Sequence, residues 1–296
     1  MSGIKSKQDK VIRCVAHAAM IFLAVLAIIP FWMMVASSFT SENALIKFGY
    51  NFWPREISLE AYQYILTEWG QIGRAYGMTL LVTVVGTVIS LLLVSMAGTA
   101  LAQENIPGMK AVFVLILITM LFNGGVVSSY IIYSQVFHIK DTIWALIVPN
   151  LLLNGFNVML MRNYVKNTIP EELLEAAEMD GAGMFRIYFQ MILPLSKPIL
   201  ATVGLLTAVG YWNDWTNGLY YVNDNKLNTI QLLLNQMNNN VQYLASHSDL
   251  GLAMQDVPTI GIRMSIAVIG ILPIILLYPF FQKYFESGIT MGAVKG

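Results

Sequence analysis

Long stretches without charged residues are the dominant feature of this sequence. No Asp, Glu, Lys or Arg occurs in Cys14–Ser41, and uncharged intervals recur at 75–103, 111–139, 142–161 and 264–282. An α-helix needs about 20 apolar residues to cross the hydrocarbon core of a bilayer, so each interval is long enough for a membrane span. Only 11% of the residues are charged, whereas soluble domains have roughly 25%. The sequence therefore predicts an all-α integral membrane protein.

One further span is predicted over residues 198–222, which contain a single acid, Asp214. If the N-terminus is cytoplasmic, Lys and Arg are more frequent in the inner segments than in the outer ones, as the positive-inside rule requires. Both ends are therefore predicted to be cytoplasmic. The predicted division is a cytoplasmic tail at 1–13, six spans at 14–37, 75–102, 111–136, 142–161, 198–222 and 260–282, extracellular segments at 38–73 and 223–258, a cytoplasmic loop at 162–197 and a cytoplasmic tail at 283–296.

The remaining composition argues against several classes of function. Charge is balanced, with 17 basic and 17 acidic residues, so no nucleic-acid partner is indicated. One cysteine, Cys14, and three scattered histidines offer no set of metal ligands. The uncharged stretch after the basic N-terminus exceeds the roughly 7–15 residues of a signal-peptide core, so an uncleaved anchor is predicted. The second, third and fourth spans lack the acids that ion-coupled transporters generally use.

The predicted cytoplasmic loop contains a short, self-contained helix over about 170–183. Pro170 suits a first helical turn, Glu171 and Glu172 are favourable near the positive end of the helix dipole, and Gly181 is a natural stop. One predicted face is small or apolar and consists of Leu173, Ala176, Ala177 and Asp180. Helical spacing places these residues together. Amphipathicity alone also fits a solvated acidic linker helix.

The loop also carries a long motif: Glu175-Ala176-Ala177, then Gly181, then Met191-Ile192-Leu193-Pro194. This order resembles the cytoplasmic loop signature of permease subunits of ABC importers, with Met191 where Ile or Val is usual. In that family the loop forms a coupling helix that docks on the ATPase subunit. The resemblance implies that the contacts here are made by Glu171, Glu172, Glu175, Ala176, Ala177, Asp180, Gly181 and Gly183.

Other segments resemble carbohydrate-type permeases, in particular the Gram-positive branch that imports complex oligosaccharides. They are Phe122–Val126, Asp141-Thr142, Trp212–Trp215 and Gly288–Gly296, and the similarity covers residues 11–296. The resemblance implies the type I ABC importer permease fold, with six transmembrane helices, in the bacterial plasma membrane. It also implies a second homologous permease, two ATPase subunits, an extracellular sugar-binding lipoprotein and a sugar substrate as partners.

Nothing in the sequence predicts an enzyme. No Gly-x-x-x-x-Gly-Lys-Ser/Thr loop occurs, so the chain cannot cradle nucleotide phosphates by that device. No cofactor is therefore expected in this chain, and ATP and Mg²⁺ are expected on the partner ATPase subunits. A membrane-embedded enzyme stays a less favoured alternative, because Asp214 has no second intramembrane acid to work with.

Two polar sets are candidates for the substrate pathway. Sugars are bound by aromatic rings and by amide or acid groups, and the fifth span offers Tyr211, Trp212, Asn213, Asp214 and Trp215. An aromatic belt at the membrane interface is the competing interpretation. The second set comprises Asn123, Asn150 and Asn154, and Asn150, Asn154 and Asn157 are spaced to line one helical stripe. Structural hydrogen bonding between helices is the competing interpretation.

The segment Ile230–Leu244 has apolar residues at helical spacing and predicts a surface helix. It is either a docking ledge for an extracellular binding protein or a helix resting on the bilayer rim. Within the transporter class, a permease for an amino acid, a peptide or a metal would carry the same loop, so these substrates stay open.

Overall fold

The computed structural model describes residues 7–67, 69–103, 105–246 and 259–293, with side chains from 11 to 239, at 260–276 and at 279. All regular structure in these ranges is helical, apart from an isolated bridge between Thr40 and Ile57. The α-helices are α1 Lys7–Ser38, α2 Glu42–Phe48, α3 Glu60–Thr67, α4 Trp69–Ala102, α5 Met109–Leu121, α6 Gly125–Ile131, α7 Trp144–Ile147, α8 Gly155–Thr168, α9 Glu171–Met179, α10 Met184–Ile187, α11 Leu193–Leu195, α12 Lys197–Trp212, α13 Thr216–Tyr221, α14 Ile230–Ser246 and α15 Thr259–Ala293. Two π-helical segments, Ile132–Val136 and Tyr188–Ile192, and a 3₁₀ turn, Asn225–Leu227, complete the set.

Two of the described helices are each long and apolar enough to cross a bilayer. They are Val11–Ser38 of α1, with 28 residues, and α4, with 34 residues. A bent pair, Met184–Leu195 and Lys197–Trp212, passes the same test together, with an angle of 79° between its halves. Shorter apolar helices are Met109–Leu121 and Ile260–Leu276. The chain is thus a helical membrane protein by length and composition of its helices.

One compact unit comprises residues 1–70 and 236–271. In it the Glu42 carboxylate accepts hydrogen bonds from the backbone N–H groups of Ile260, at 3.0 Å, and Gly261, at 2.9 Å. An acid at this position caps the start of α15 and complements its dipole. The side chains of residues 11–28 in α1 are exposed, and so large an apolar surface is stable only in lipid or against another protein.

The other compact unit comprises residues 71–235 and 272–296. Its larger core joins α4, α8, α12 and the segment after α9, and its buried members are Val94, Leu101, Val158, Met161, Val165, Ile169, Ile187, Ile192 and Val203. A smaller core consists of Val82, Leu146, Ile147 and Tyr211. Close helix contacts in this unit depend on glycine, because a β-carbon at Gly98 would lie 2.7 Å from the Met161 side chain. Small residues allow such approach between membrane helices.

Candidate functional sites in the loop helix and the polar cavity

The short helix predicted in the loop between the fourth and fifth predicted spans is present as α9. It begins directly after Pro170, with two acids in its first turn. It ends in a Schellman arrangement, in which the Ala182 N–H donates to the Ala177 carbonyl at 3.0 Å and the Gly181 N–H donates to the Glu178 carbonyl at 2.9 Å. Gly181 has φ +79°, a left-handed conformation that favours glycine. The sequence thus fixes both ends of this helix locally.

The two faces of α9 have different surroundings. Leu174 and Ala177 are half-buried and pack against the larger core. Leu173 is 41% exposed and Met179 is 89% exposed. The residues that the loop signature implies as contacts are all exposed except Ala177, which is half-buried and packs on the protein itself. α9 therefore has one side packed on the protein and an exposed side with apolar and acidic residues.

Polar contacts hold together the elements that pack beneath α9, namely α4, α8 and the second π-helical segment. The Arg162 guanidinium donates through Nε to the Leu101 carbonyl at 3.0 Å and lies 4.4 Å from the centre of the Phe113 ring. A cation at the C-terminal end of α4 complements the helix dipole there. The buried Tyr188 hydroxyl is hydrogen-bonded to Ser95 Oγ at 2.6 Å. These contacts hold α8 and the second π-helical segment against α4.

The helices over the predicted third and fourth spans are interrupted. Phe122–Gly124 separate α5 from α6, and the Asn123 side chain accepts a hydrogen bond from the Gly125 N–H at 2.8 Å. Residues 148–154 separate α7 from α8, with Asn150 at φ +62°. Asn154 caps α8 by accepting from the Phe156 and Asn157 N–H groups. The expectation of one continuous stripe through Asn150, Asn154 and Asn157 is therefore wrong, because the helix is broken between them.

The two breaks line a polar cavity. A space of about 630 Å³ is lined by Asn123, Asn150, Asn154, Tyr133 and further residues, and a neighbouring space of about 130 Å³ shares Asn123 and Asn150. Irregular backbone at membrane depth is tolerated where it lines a cavity or is buried in protein. The three asparagines that were predicted from the sequence thus meet at one site, although they lie in two separate breaks.

The aromatic set of the fifth predicted span does not line this cavity in the described part of the chain. The Tyr211 ring is buried, and its hydroxyl donates to the Ile147 carbonyl at 2.8 Å. Trp212 packs edge-on against Tyr76. The Asp214 carboxylate accepts from the Thr216 and Asn217 N–H groups and so caps α13. These contacts are structural ones.

The remaining two residues of the aromatic set, Asn213 and Trp215, lie near the surface. Asn213 accepts a hydrogen bond from Gln231 at 3.3 Å, and Trp215 is 39% exposed. Neither residue is among those that line the two cavity spaces in the described part of the chain.

Several lining residues were missed in the sequence. Tyr133 lines the larger space, and Thr216, Asn217, Tyr220 and Tyr221 line the smaller one. The Tyr221 ring lies 5.9 Å from the Tyr133 ring, in an edge-on arrangement. Hydroxyl and amide groups beside aromatic rings are the set that sugar recognition uses. The sequence feature that could have identified these residues is the clustering of tyrosines at 130–133 and 220–221. A hydropathy profile does not show this clustering.

Hydrogen bonds to the Asp141 carboxylate join the segment before α7 to the segment after α13. The Asp141 carboxylate accepts hydrogen bonds from the Asn223 backbone N–H, from the Asn223 side-chain amide at 3.1 Å and from the Asp224 N–H at 3.3 Å. The Asn223 backbone N–H is the main cause that lowers the pKa of the Asp141 carboxyl. Its neighbour Lys140 donates to the Tyr130 hydroxyl at 3.0 Å, and this bond raises the pKa of the Lys140 ammonium.

Known proteins resemble this chain over nearly its whole length. Protein LplC of Bacillus subtilis (strain 168) is 34% identical over 273 residues, which are 92% of this chain and 90% of that protein. The polygalacturonan/rhamnogalacturonan transport system permease protein YtcP of the same organism is 32% identical, over 95% of this chain and 96% of that protein. A chain in the crystal structure of a bacterial ABC transporter involved in the import of the acidic polysaccharide alginate matches with a TM-score of 0.80 and 27% identity. That match covers 96% of this chain and 100% of the other.

The family model for binding-protein-dependent transport system inner membrane components matches residues 105–291. This range includes α9, both breaks and the cavity that they line. The resemblance of the loop signature is thereby confirmed, and the chain belongs to the family of inner membrane components of binding-protein-dependent transport systems.

Proposed function

We propose that this chain is one of two homologous permease subunits of an ATP-driven ABC importer for sugars, with oligosaccharides as its substrates. The names of relatives support the substrate class, since YtcP is described for polygalacturonan and rhamnogalacturonan and the similar structure for alginate. The polar cavity supports it as well, because amides and tyrosines line it. An extracellular lipoprotein would deliver the sugar, as the family description of binding-protein dependence suggests.

The observation that carries this proposal is the two-faced helix α9. Its core-facing side chains anchor it, while Leu173, Glu175 and Ala176 lie on its exposed side. Two partner ATPase subunits would bind ATP and Mg²⁺, and one of them would dock on this exposed face. Contacts from Glu171, Glu172, Glu175, Ala176, Asp180, Gly181 and Gly183 would hold the two together, with Ala177 setting the distance to the core.

The proposed arrangement in the bacterial plasma membrane has six spans and both chain ends in the cytoplasm. The third and fourth spans would be broken helices, each interrupted where an asparagine lines the cavity. Transporters commonly place substrate beside such breaks near the middle of the bilayer. α9 would then lie at the cytoplasmic surface.

The sugar would pass along Asn123, Asn150 and Asn154, with Tyr133 and Tyr220 beside them. Asn154 has its amide oxygen occupied by α8, so its NH₂ group is the part that can donate to a hydroxyl. Tyr211, Trp212, Asn213, Asp214 and Trp215 would support this route by fixing the helices around it. Closure of the ATPase subunits would move α9 and exchange inward-open for outward-open states.

Transport by the reconstituted complex tests the proposed function. Proteoliposomes would contain this chain, its partner permease, the ATPase and the binding protein, and would be supplied with MgATP. Radiolabelled raffinose, arabinotriose and trigalacturonate serve as sugar probes, and glutamine, a tripeptide and Mn²⁺ represent the alternative substrates. We expect ATP-dependent uptake of at least one sugar probe and of none of the others. Uptake confined to the second group would overturn the sugar assignment.

A further inference from the structure

Leu173 and Leu174 are neighbours in α9 with different surroundings. Leu173 is 41% exposed, whereas Leu174 is half-buried and packs against the larger core. A helix turns by about 100° per residue, so adjacent residues of the same type can report on different contacts. Substituting Leu173 therefore tests docking on the exposed side of α9, and substituting Leu174 tests its anchoring on the core.

Two cavities flank Leu174 beneath the loop helix. One has about 220 Å³ and extends towards α10, and the other has about 390 Å³ and extends towards α8. The same four residues line both cavities: Thr99, Gln103, Leu174 and Ile192. The Leu174 side chain therefore lies between the two cavities. The C-terminal end of α4 and the second π-helical segment line both cavities with it.

Few side chains of α9 support the helix on the rest of the protein. Of its described residues, Leu174 and Ala177 are those that pack against the larger core, and Ala177 contributes only a methyl group. Close-packed atoms transmit displacement, whereas empty space does not. Among the side chains of α9, Leu174 is therefore the larger contact through which a tilt of the helix would reach the core.

Leu174 lines both cavities together with Ile192, which belongs to a segment that is suited to respond. Ile192 ends the π-helical stretch Tyr188–Ile192, and Ser196 then marks the 79° bend into α12. π-helical turns frequently occur at functional sites within helices. α12 in turn carries Tyr211, whose hydroxyl donates to the Ile147 carbonyl at the end of α7. These elements thus connect Leu174 with the helix end that precedes the break between α7 and α8.

We propose that Leu174 is the positioning residue that transmits the movement of α9 to the π-helical segment and α12. The inference rests on the proposed function, because it assumes that an ATPase subunit moves α9. Leu173 has the separate role of contributing to the docking surface. Shortening Leu174 lets α9 move into the adjoining cavities without displacing α12.

The test measures sugar molecules imported per ATP hydrolysed in proteoliposomes that hold the full complex, with whichever sugar probe the wild type imports. Leu174→Ala is expected to lower this ratio about tenfold, within the range of typical coupling energies, while the ATPase still co-purifies. Leu174→Met conserves the volume and is expected to restore the ratio. The matched control, Leu173→Ala, is expected to weaken ATPase binding and to leave the ratio unchanged once the ATPase is saturating.

An unchanged ratio in Leu174→Ala, or an equal fall in Leu173→Ala, would overturn the role of Leu174. Should Leu174→Ala fail to assemble, Leu174→Val removes one carbon and is expected to lower the ratio by a smaller factor. A wild-type ratio in that variant would equally refute the proposal. Failure of the wild-type complex to import any sugar probe would instead refute the proposed function, so the two failures are distinguishable.

Discussion

Asp141 and Asn150 show how single residues shape the cavity and its surroundings. Both adopt left-handed backbone, with φ +56° and +62°. Asn and Asp are the residue types other than glycine that tolerate this conformation best. Asn150 turns the chain within the break between α7 and α8, where its side chain lines the cavity. Asp141 turns the chain before α7 and ties it to Asn223.

Replacing Asp141 by Asn tests the electrostatic part of that contact. Asn tolerates the same backbone conformation, so the change removes charge without adding strain. A carboxyl whose pKa is lowered by folding stabilises the protein above its unfolded pKa of about 3.9, and this contribution is lost as the pH falls through the folded value. We expect Asp141→Asn to melt at a lower temperature than the wild type at pH 7, with the gap closing below about pH 4.

Thermal unfolding in detergent at several pH values provides the measurement. Comparing the variant with the wild type at each pH cancels the titration of the other carboxylates. A gap between the two melting temperatures that is independent of pH would show that the Asp141 charge does not stabilise this loop.

Contacts between whole helices depend on small residues in α4. A β-carbon at Gly86 would lie 2.5 Å from Cζ of the Tyr211 ring, closer than such atoms can approach. Tyr211 holds the Ile147 carbonyl at the end of α7. The packing of α4 on α12 and the support of the break are therefore linked through one glycine.

Gly86→Ala is expected to destabilise the protein by about 1–3 kcal/mol, as overpacking of a tight contact usually does. The matched control in the same helix is Gly77→Ala, since a β-carbon at Gly77 meets nothing within 4 Å. Alanine is favoured over glycine inside a helix by roughly 0.5–1 kcal/mol, so this variant should melt at the same or a higher temperature. Equal melting temperatures for the two variants would contradict the tight contact.

Helix α9 was predictable because its signals are local. Pro170, two acids and Gly181 mark its ends within the loop itself. The breaks at 122–124 and 148–154 were not predicted, since an apolar stretch has the same hydropathy whether or not its backbone is helical. Hydropathy reports burial in lipid, while a break depends on dihedral angles and on capping side chains such as Asn154.

The candidate cavity was predictable only in part for a similar reason. The asparagines stand out in an apolar sequence because their burial needs hydrogen-bonding partners. Tyr211 was assigned to the substrate pathway from its residue type, but its buried position depends on Gly86, which is distant in the sequence. Tyr133 and Tyr220 become neighbours of the asparagines only through the tertiary fold.

At the scale of the whole molecule, the chain combines long apolar helices with a polar cavity. The exposed apolar surface of α1 is stable only in lipid or against another protein. Similarity over 96% of the chain to a chain of a bacterial ABC transporter agrees with a membrane-embedded subunit. The proposed topology places Tyr50 outside the cell and Met184 inside.

Cysteine labelling tests that topology. In a Cys14→Ser background, the exposed residues Tyr50 and Met184 are each replaced by cysteine. We expect a membrane-impermeant maleimide to label Tyr50→Cys in intact cells and Met184→Cys only after permeabilisation. The reverse pattern would mean that the loop with α9 lies outside the cell. A cytoplasmic ATPase subunit could not reach it there.

The central claim is that the ATPase subunit docks on the exposed face of α9. The most direct test is the rate of ATP hydrolysis that the binding protein stimulates in the reconstituted complex. Glu175 and Glu178 are both exposed, but only Glu178 lines the cavity of about 220 Å³ under α9. Each is replaced by Lys. Glu175→Lys is predicted to reduce the stimulated rate about tenfold or more, and Glu178→Lys to preserve most of it. A wild-type rate in Glu175→Lys would contradict docking of the ATPase on α9.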